Sequence, residues 1–146
     1  MPGPETFSYD CNQLTCTVGT ALIDSGFAPD DVITVEPNDD DWKVIEGADG
    51  SVGFAKTNSH LGKVTIRLLQ GSAKNDLLSA IRLLDQATPG GLLVPFYLND
   101  RGGRSLYTGT KCRIMAPPKN VTFANELKTR EWLIYVVQMK RFDGGN

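Results

Sequence analysis

The 146 residues, 40% hydrophobic and 22% charged, suit one globular domain with its own core and exclude wholesale disorder, collagen-like repeats and coiled coils. No apolar run nears the roughly 18 residues of a membrane span. The start Met1-Pro2-Gly3-Pro4-Glu5-Thr6 has neither the basic nor the apolar part of a signal peptide, and three cysteines are the wrong number for a closed disulfide framework, so a mature chain with free thiols, made in a cytoplasm, is expected.

In chain order, Gln13–Val18 alternates apolar and polar positions, Gly19 interrupts, and Thr20–Ile23 resumes, which predicts a hairpin. Val32–Glu36 is β-branched and stopped by Pro37-Asn38, a further strand. Trp42–Glu46 and Ser51–Lys56 flank Gly47-Ala48-Asp49-Gly50, whose Asp-Gly pair supplies positive-φ turn residues, so a second hairpin follows. Lys63–Leu69 places Val64, Ile66 and Leu68 on one face. The period then changes. Ser72–Asp76 offers N-cap candidates with an acid in the first turn, and Leu77, Leu78, Ile81 and Leu84 recur at helical spacing until Thr88-Pro89-Gly90-Gly91. One amphipathic helix of about three turns is expected to lay that apolar stripe on a sheet. Leu92–Leu98 is a strand at an edge or bulged at Pro95, which lacks a ladder donor. Ser105–Ile114 and Glu131–Val137 are the last strands. The fold class is therefore mainly β: an antiparallel sandwich or barrel of about eight strands with one helix packed on it, a single domain over 1–146 whose ends, 1–8 and 142–146, are expected to be flexible.

The net charge of −2 hides a division. Residues 1–60 hold eleven acids and two bases, a net −9, and the remainder six acids and thirteen bases, a net +7. If the fold keeps the signs apart, copies of the chain present complementary faces to one another.

Catalytic chemistry has no candidates. His60, the lone histidine, lies in a polar loop and reads as solvated, since no second imidazole exists to share a metal. Cys11 and Cys16 are five apart and fall on opposite faces of a regular strand; with Cys112 they read as free, buried thiols, a crosslink between subunits being the minor alternative. Asp39-Asp40-Asp41 lacks the spacing of a calcium loop. No phosphate loop, nucleophile elbow or dinucleotide fingerprint occurs. No cofactor or metal is called for. A net acidic chain with pI ≈ 5.3 lacks the footprint of a phosphate-gripping domain, and Arg101, Arg104, Lys111 and Arg113, flanking one turn, are expected to meet an acidic protein surface.

Several stretches together resemble the tail-tube proteins of contractile-tailed bacteriophages: Gly26-Phe27-Ala28 leading to Asp31–Glu36, Gly47–Val52, Thr65–Ser79 with its Leu-Leu-Gln and Ser-x-x-Asn-Asp elements, Pro117-Pro118, and Arg130-Glu131-Trp132. Their order and spacing match from about Tyr9 to Lys140. The resemblance implies a virion tail subunit, assembled in the bacterial host cytoplasm six to a ring, the rings stacking into a hollow tube. A sheath protein surrounds the tube, and tape-measure protein and genomic DNA occupy its bore without sequence-specific binding or membrane anchoring. Strands would join a continuous inner barrel, with the helix outside it and loops touching the next ring. A basic bore would grip DNA, which carries a charge about every 1.7 Å, so some of Asp39, Asp40, Asp41, Glu46 and Asp49 are expected at the lumen or the junction between rings. The alternatives are the tube subunit of a phage-derived injection or secretion device that carries no DNA, and, from another class, a small β-barrel binding an apolar ligand.

Overall fold

The computed structural model describes residues 3–6, 8, 10, 13–29, 31–101 and 103–144. Ten strands and one helix follow in the order β1 (Leu14–Val18), β2 (Ala21–Ile23), β3 (Ile33–Pro37), β4 (Trp42–Glu46), β5 (Val52–Lys56), β6 (Gly62–Leu69), α1 (Lys74–Ala87), β7 (Val94–Asp100), β8 (Leu106–Ala116), β9 (Thr129–Val137) and β10 (Lys140–Phe142). The pairings are all antiparallel.

Among the described residues, seven strands form one open path, β2-β1-β7-β8-β9-β6-β3, with β10 alongside β8, while β4 and β5 pair only with each other. Among these residues the sheet does not close, and its two end strands, β2 and β3, each have one margin without a strand partner. Strand period sets the inner face: Cys16 and Val18, Val64, Ile66 and Leu68, Phe96 and Leu98, Cys112 and Ile114, and Trp132, Ile134 and Val136 alternate inward and are buried. The curled sheet brings Ile33 and Val35 of β3 opposite Leu14, Leu98 and Tyr107, leaving an opening of about 290 Å³ between them. Pro95 is accommodated by a bulge rather than at an edge, because β7 lies between β1 and β8 and its register shifts between Val94 and Phe96.

The predicted helix is present, but its stripe is rotated. Leu78 is fully buried and Ile81 partly, whereas Leu77 is 42% and Leu84 54% exposed. The rotation is set by Asn75, the second helical residue, which is buried. Its amide donates to the carbonyls of Leu69 (2.9 Å) and Ser72 (3.1 Å), and its oxygen accepts from the Trp132 indole at 3.0 Å. A buried amide is retained only when its donors and acceptor are used; here they join the end of β6, the start of α1 and β9. Asp85 and Arg113 form a second strap between α1 and β8 (2.9 Å).

Cys16 and Cys112 are both core residues with free thiols. Burial pushes each up to about 12, Cys16 with an added contribution from Cys112. Cys11 lies outside the described residues.

β10 was not apparent in the sequence. It continues along β8 in the register of β9, Lys111 facing Val137 and Thr108 facing Lys140, across an interruption at Gln138, which has a positive φ of 49°. The stretch expected to fray from 142 thus begins inside a strand. Beyond it, Asp143 accepts from Tyr107 (2.6 Å) and Arg141 (2.9 and 3.0 Å), and Ser105 donates to the Gly144 carbonyl at 3.3 Å.

Candidate functional site

The sequence-derived acids fall into two groups on one projection. Asp39, Asp40 and Asp41 occupy the connection from β3 to β4, at the root of the β4–β5 hairpin, where they line an open groove of about 420 Å³ with His60, Arg141 and Asp143 among others. Glu46 and Asp49 lie at its tip, about 16 Å further out for a five-residue strand. Asp49 is a turn residue by use: Ser51 donates its backbone N–H to the Asp49 carboxylate at 3.0 Å, and bonds from Ser51 hold that carboxyl below its ordinary range. Gly50 takes the positive φ of 90° that the Asp-Gly pair predicted. No group of three metal-ligating side chains converges among the described residues.

The more informative residues of the hairpin are its apolar ones. All ten strand positions are exposed, and Trp42, Val44, Ile45, Val52 and Phe54 keep 54–69% of their surface in contact with solvent. The register places Val44 opposite Phe54 and Val52 opposite Glu46, so Trp42, Val44, Val52 and Phe54 share one face. A two-stranded ribbon is at best marginal alone, and a contiguous apolar face on a chain in water marks an interaction surface. Sequence reasoning found the hairpin and missed this exposure; the signal was a ribbon with large apolar residues in both strands and no other segment assigned to cover it.

The basic residues do not form one cluster. Arg101, in the turn after β7, donates to the Gln13 carbonyl at 3.2 Å, and Arg104 lies in the same turn. Lys111 is exposed further along β8, and Arg113 is committed to Asp85. A second exposed apolar segment, also missed, is the connection from β8 to β9, where Val121, Phe123 and Leu127 are 47, 80 and 65% exposed. It carries Lys119 and Lys128 and leads into Arg130.

A sequence profile described as Bacteriophage PhiTE tail tube protein matches residues 6–142. The chain belongs to that tail tube family. The structural protein ORF10 of Pseudomonas phage KPP10 is similar at 28% identity, over 97% of this chain and 84% of that protein. Among solved structures, the tube-terminating cap of the anti-feeding prophage superposes with a TM-score of 0.58 at 10% identity, covering 97% of this chain and 95% of that one. The sheath-tube complex of the extracellular contractile injection system PVC superposes at 0.57 with 13% identity, covering 93 and 92%. At such identities these structures share the fold. Family membership makes this tail tube protein a structural component of a phage tail and not an enzyme.

Proposed function

We propose that this tail tube protein is the repeating subunit of a hollow tube made of stacked hexameric rings, surrounded by a contractile sheath, through which tape-measure protein and then double-stranded DNA pass. The observation that carries this reading is the unfinished state of the monomer: an eight-stranded sheet with free margins at β2 and β3 and a separate hairpin whose apolar face is bare. Free strand margins invite pairing with other chains, and a head-to-tail contact closes into a ring when its rotation permits. The solved relatives with the same fold include a tube within a sheath, which supports the sheath as partner. Assembly in the bacterial cytoplasm follows from the same reading.

The acids Asp39, Asp40, Asp41, Glu46 and Asp49 are proposed to face the lumen or the ring junction, where negative charge keeps DNA from adhering. Arg101, Arg104 and Lys111 are proposed to meet an acidic neighbouring surface, with Arg113 serving chiefly as a strap to α1. Negative-stain imaging of the purified chain tests the assembly: rings or tubes are expected, and dispersed monomers at all concentrations would refute it. Replacing Asp39, Asp40 and Asp41 by Asn tests the acidic path; unchanged tube assembly together with unchanged DNA ejection would remove it.

A further inference from the structure

The two ends of the curled sheet are finished differently. At the end where β6 stops, α1 packs against it, with Leu78 in the core and Asn75 on the Trp132 indole. Toward the other end lies the opening of about 290 Å³ between β3 and the strands facing it. Its walls follow from the strand period. Ile33 and Val35 point inward from β3, and on β7 the inward series Phe96, Leu98, Asp100 ends on a carboxylate where the pattern calls for another apolar side chain. Leu14 faces Asp100 across the β1–β7 ladder and Tyr107 faces Leu98 across the β7–β8 ladder, which brings both to the same opening.

Asp100 is 6% exposed, and the turn after it holds it in place: its N–H donates to the Ser105 carbonyl and its carbonyl accepts from Gly103, each at 3.1 Å. The other two polar side chains of the lining are directed to the end of the chain, the Tyr107 hydroxyl donating to Asp143 at 2.6 Å and the Ser105 hydroxyl to the Gly144 carbonyl at 3.3 Å. An apolar cleft with a convergent anionic acceptor has the form of a small-ligand site, and the mouths of barrels are among the places where such sites occur.

We propose that this mouth binds a small primary alkylamine, its alkyl chain lying among Leu14, Ile33, Val35 and Leu98 and its ammonium donating to the Asp100 carboxylate. The site belongs to the single subunit and stands independently of the tube reading. A carboxylate set among apolar walls is costly unless it is paired and hydrogen-bonded. It has about four lone-pair positions, so it accepts from a ligand in addition to the contacts it already makes. An ammonium satisfies such an acceptor more strongly than a neutral hydroxyl does. The alkyl chain displaces water from the walls, so each added carbon is expected to tighten binding about fourfold. At roughly 30 Å³ for a water-sized group the opening admits about nine or ten heavy atoms, so that gain is expected to stop near octylamine. Arg101 and Arg104 of the same turn are exposed and outside the lining, where solvent and salt screen their repulsion.

The test titrates the full-length chain, at a concentration where it is monomeric, with butylamine, hexylamine, octylamine and hexanol. Binding is read by calorimetry and by shifts in the amide NMR spectrum at neutral pH, where the amines are protonated. Hexylamine is expected to bind at about the millimolar level, shifting the amides of Leu14, Val35 and Asp100, and hexanol at least about tenfold more weakly. Asp100→Asn keeps the backbone bonds of the turn and is expected to bring hexylamine down to the hexanol value. Val35→Phe, which fills the opening, is expected to remove binding of both. Thermal unfolding checks that each variant is folded, and the chain-length series and the amine-to-alcohol ratio on the unaltered protein decide the matter without either. An affinity indifferent to chain length, hexylamine held no more tightly than hexanol, or shifts confined to residues outside the opening would overturn the proposal.

Discussion

Replacing Asn75 by Ala removes the side chain that orients α1 on the sheet, and its cost follows from the bonds around it. The Leu69 carbonyl also accepts from the Ser72 N–H at 3.0 Å, and the Ser72 carbonyl from the Asn75 N–H at 3.2 Å, so neither is stranded. The Trp132 indole N–H, on a side chain only 3% exposed, loses its acceptor. An orphaned buried donor costs about 1–3 kcal/mol and each of the two lost amide bonds about 0.5–1.5, a total of about 4 kcal/mol at the midpoints. The better helix propensity of Ala returns about 0.5 kcal/mol, leaving about 3.5. Urea titration at a concentration where the chain is monomeric is expected to show that loss as a lower midpoint with an unchanged slope, and thermal unfolding a drop of about 7–14 °C. Trp132→Phe strands the Asn75 oxygen instead. The double variant strands neither, so it is expected to recover about 1–2 kcal/mol relative to the sum of the singles. Asn75→Ala within about 0.5 kcal/mol of the parent, or a cycle additive to within that margin, would refute this account of the helix orientation.

Gly26 has a positive φ of 74°, and a Cβ there would collide with the Ser72 side chain; Gly26→Ala is expected to cost about 2–3 kcal/mol by urea titration, with Ser72→Gly returning the steric part and not the backbone strain. The Cys16 and Cys112 thiols, pushed up to about 12, ionise in the unfolded chain near pH 9, so the stability of keeping them neutral is full below that pH and is lost as pH rises from 9 towards 12. The loss amounts to about 1.4 kcal/mol per pH unit per thiol, and a Cys16→Ala, Cys112→Ala variant is expected to show a flatter alkaline profile. Below the unfolding transition neither thiol is expected to react with iodoacetamide at pH 8, as read by peptide mass spectrometry. The Asp143 carboxyl is held below its ordinary range by the Arg141 bond and then the Tyr107 bond, so its clasp on β10 is present at neutral pH and is lost as pH falls through that lowered value. Asp143→Asn is expected to lower the amide protection factors of Lys140–Phe142 at pH 7 and to abolish their further fall on acidification.

Where a local signal was sufficient, the sequence was readable. Asp49-Gly50 between two apolar runs specified the hairpin and its turn, the β-branched runs specified β3 and β6, and the break at Thr88-Pro89-Gly90-Gly91 specified the end of α1. The motif Ser72-x-x-Asn75-Asp76 marked the helix start without revealing its reason, since Trp132 lies 57 residues away and the lock exists only once β6 and β9 pair. The same gap misassigned Leu77 and Leu84: helical spacing allowed a stripe through them, and the buried Asn75 turned the helix away from it. β10 escaped because Lys140-Arg141-Phe142 has no alternation of its own and takes its register from β8. The candidate acids were legible as residues, but their placement at the root and tip of one projection was not. Phe123, the most exposed large apolar side chain among the described residues at 80%, sat in a stretch that carried no strand or helix pattern.

The hairpin is fastened at its root by two main-chain bonds, from Thr57 to the Asp41 carbonyl and from Asn38 to the Leu61 carbonyl, and its side chains contribute nothing to the buried core. The ribbon is thus separable from the folding of the core: exchanging residues 42–56 for a ribbon of different surface composition is expected to leave the stability of the remaining sheet and helix unchanged.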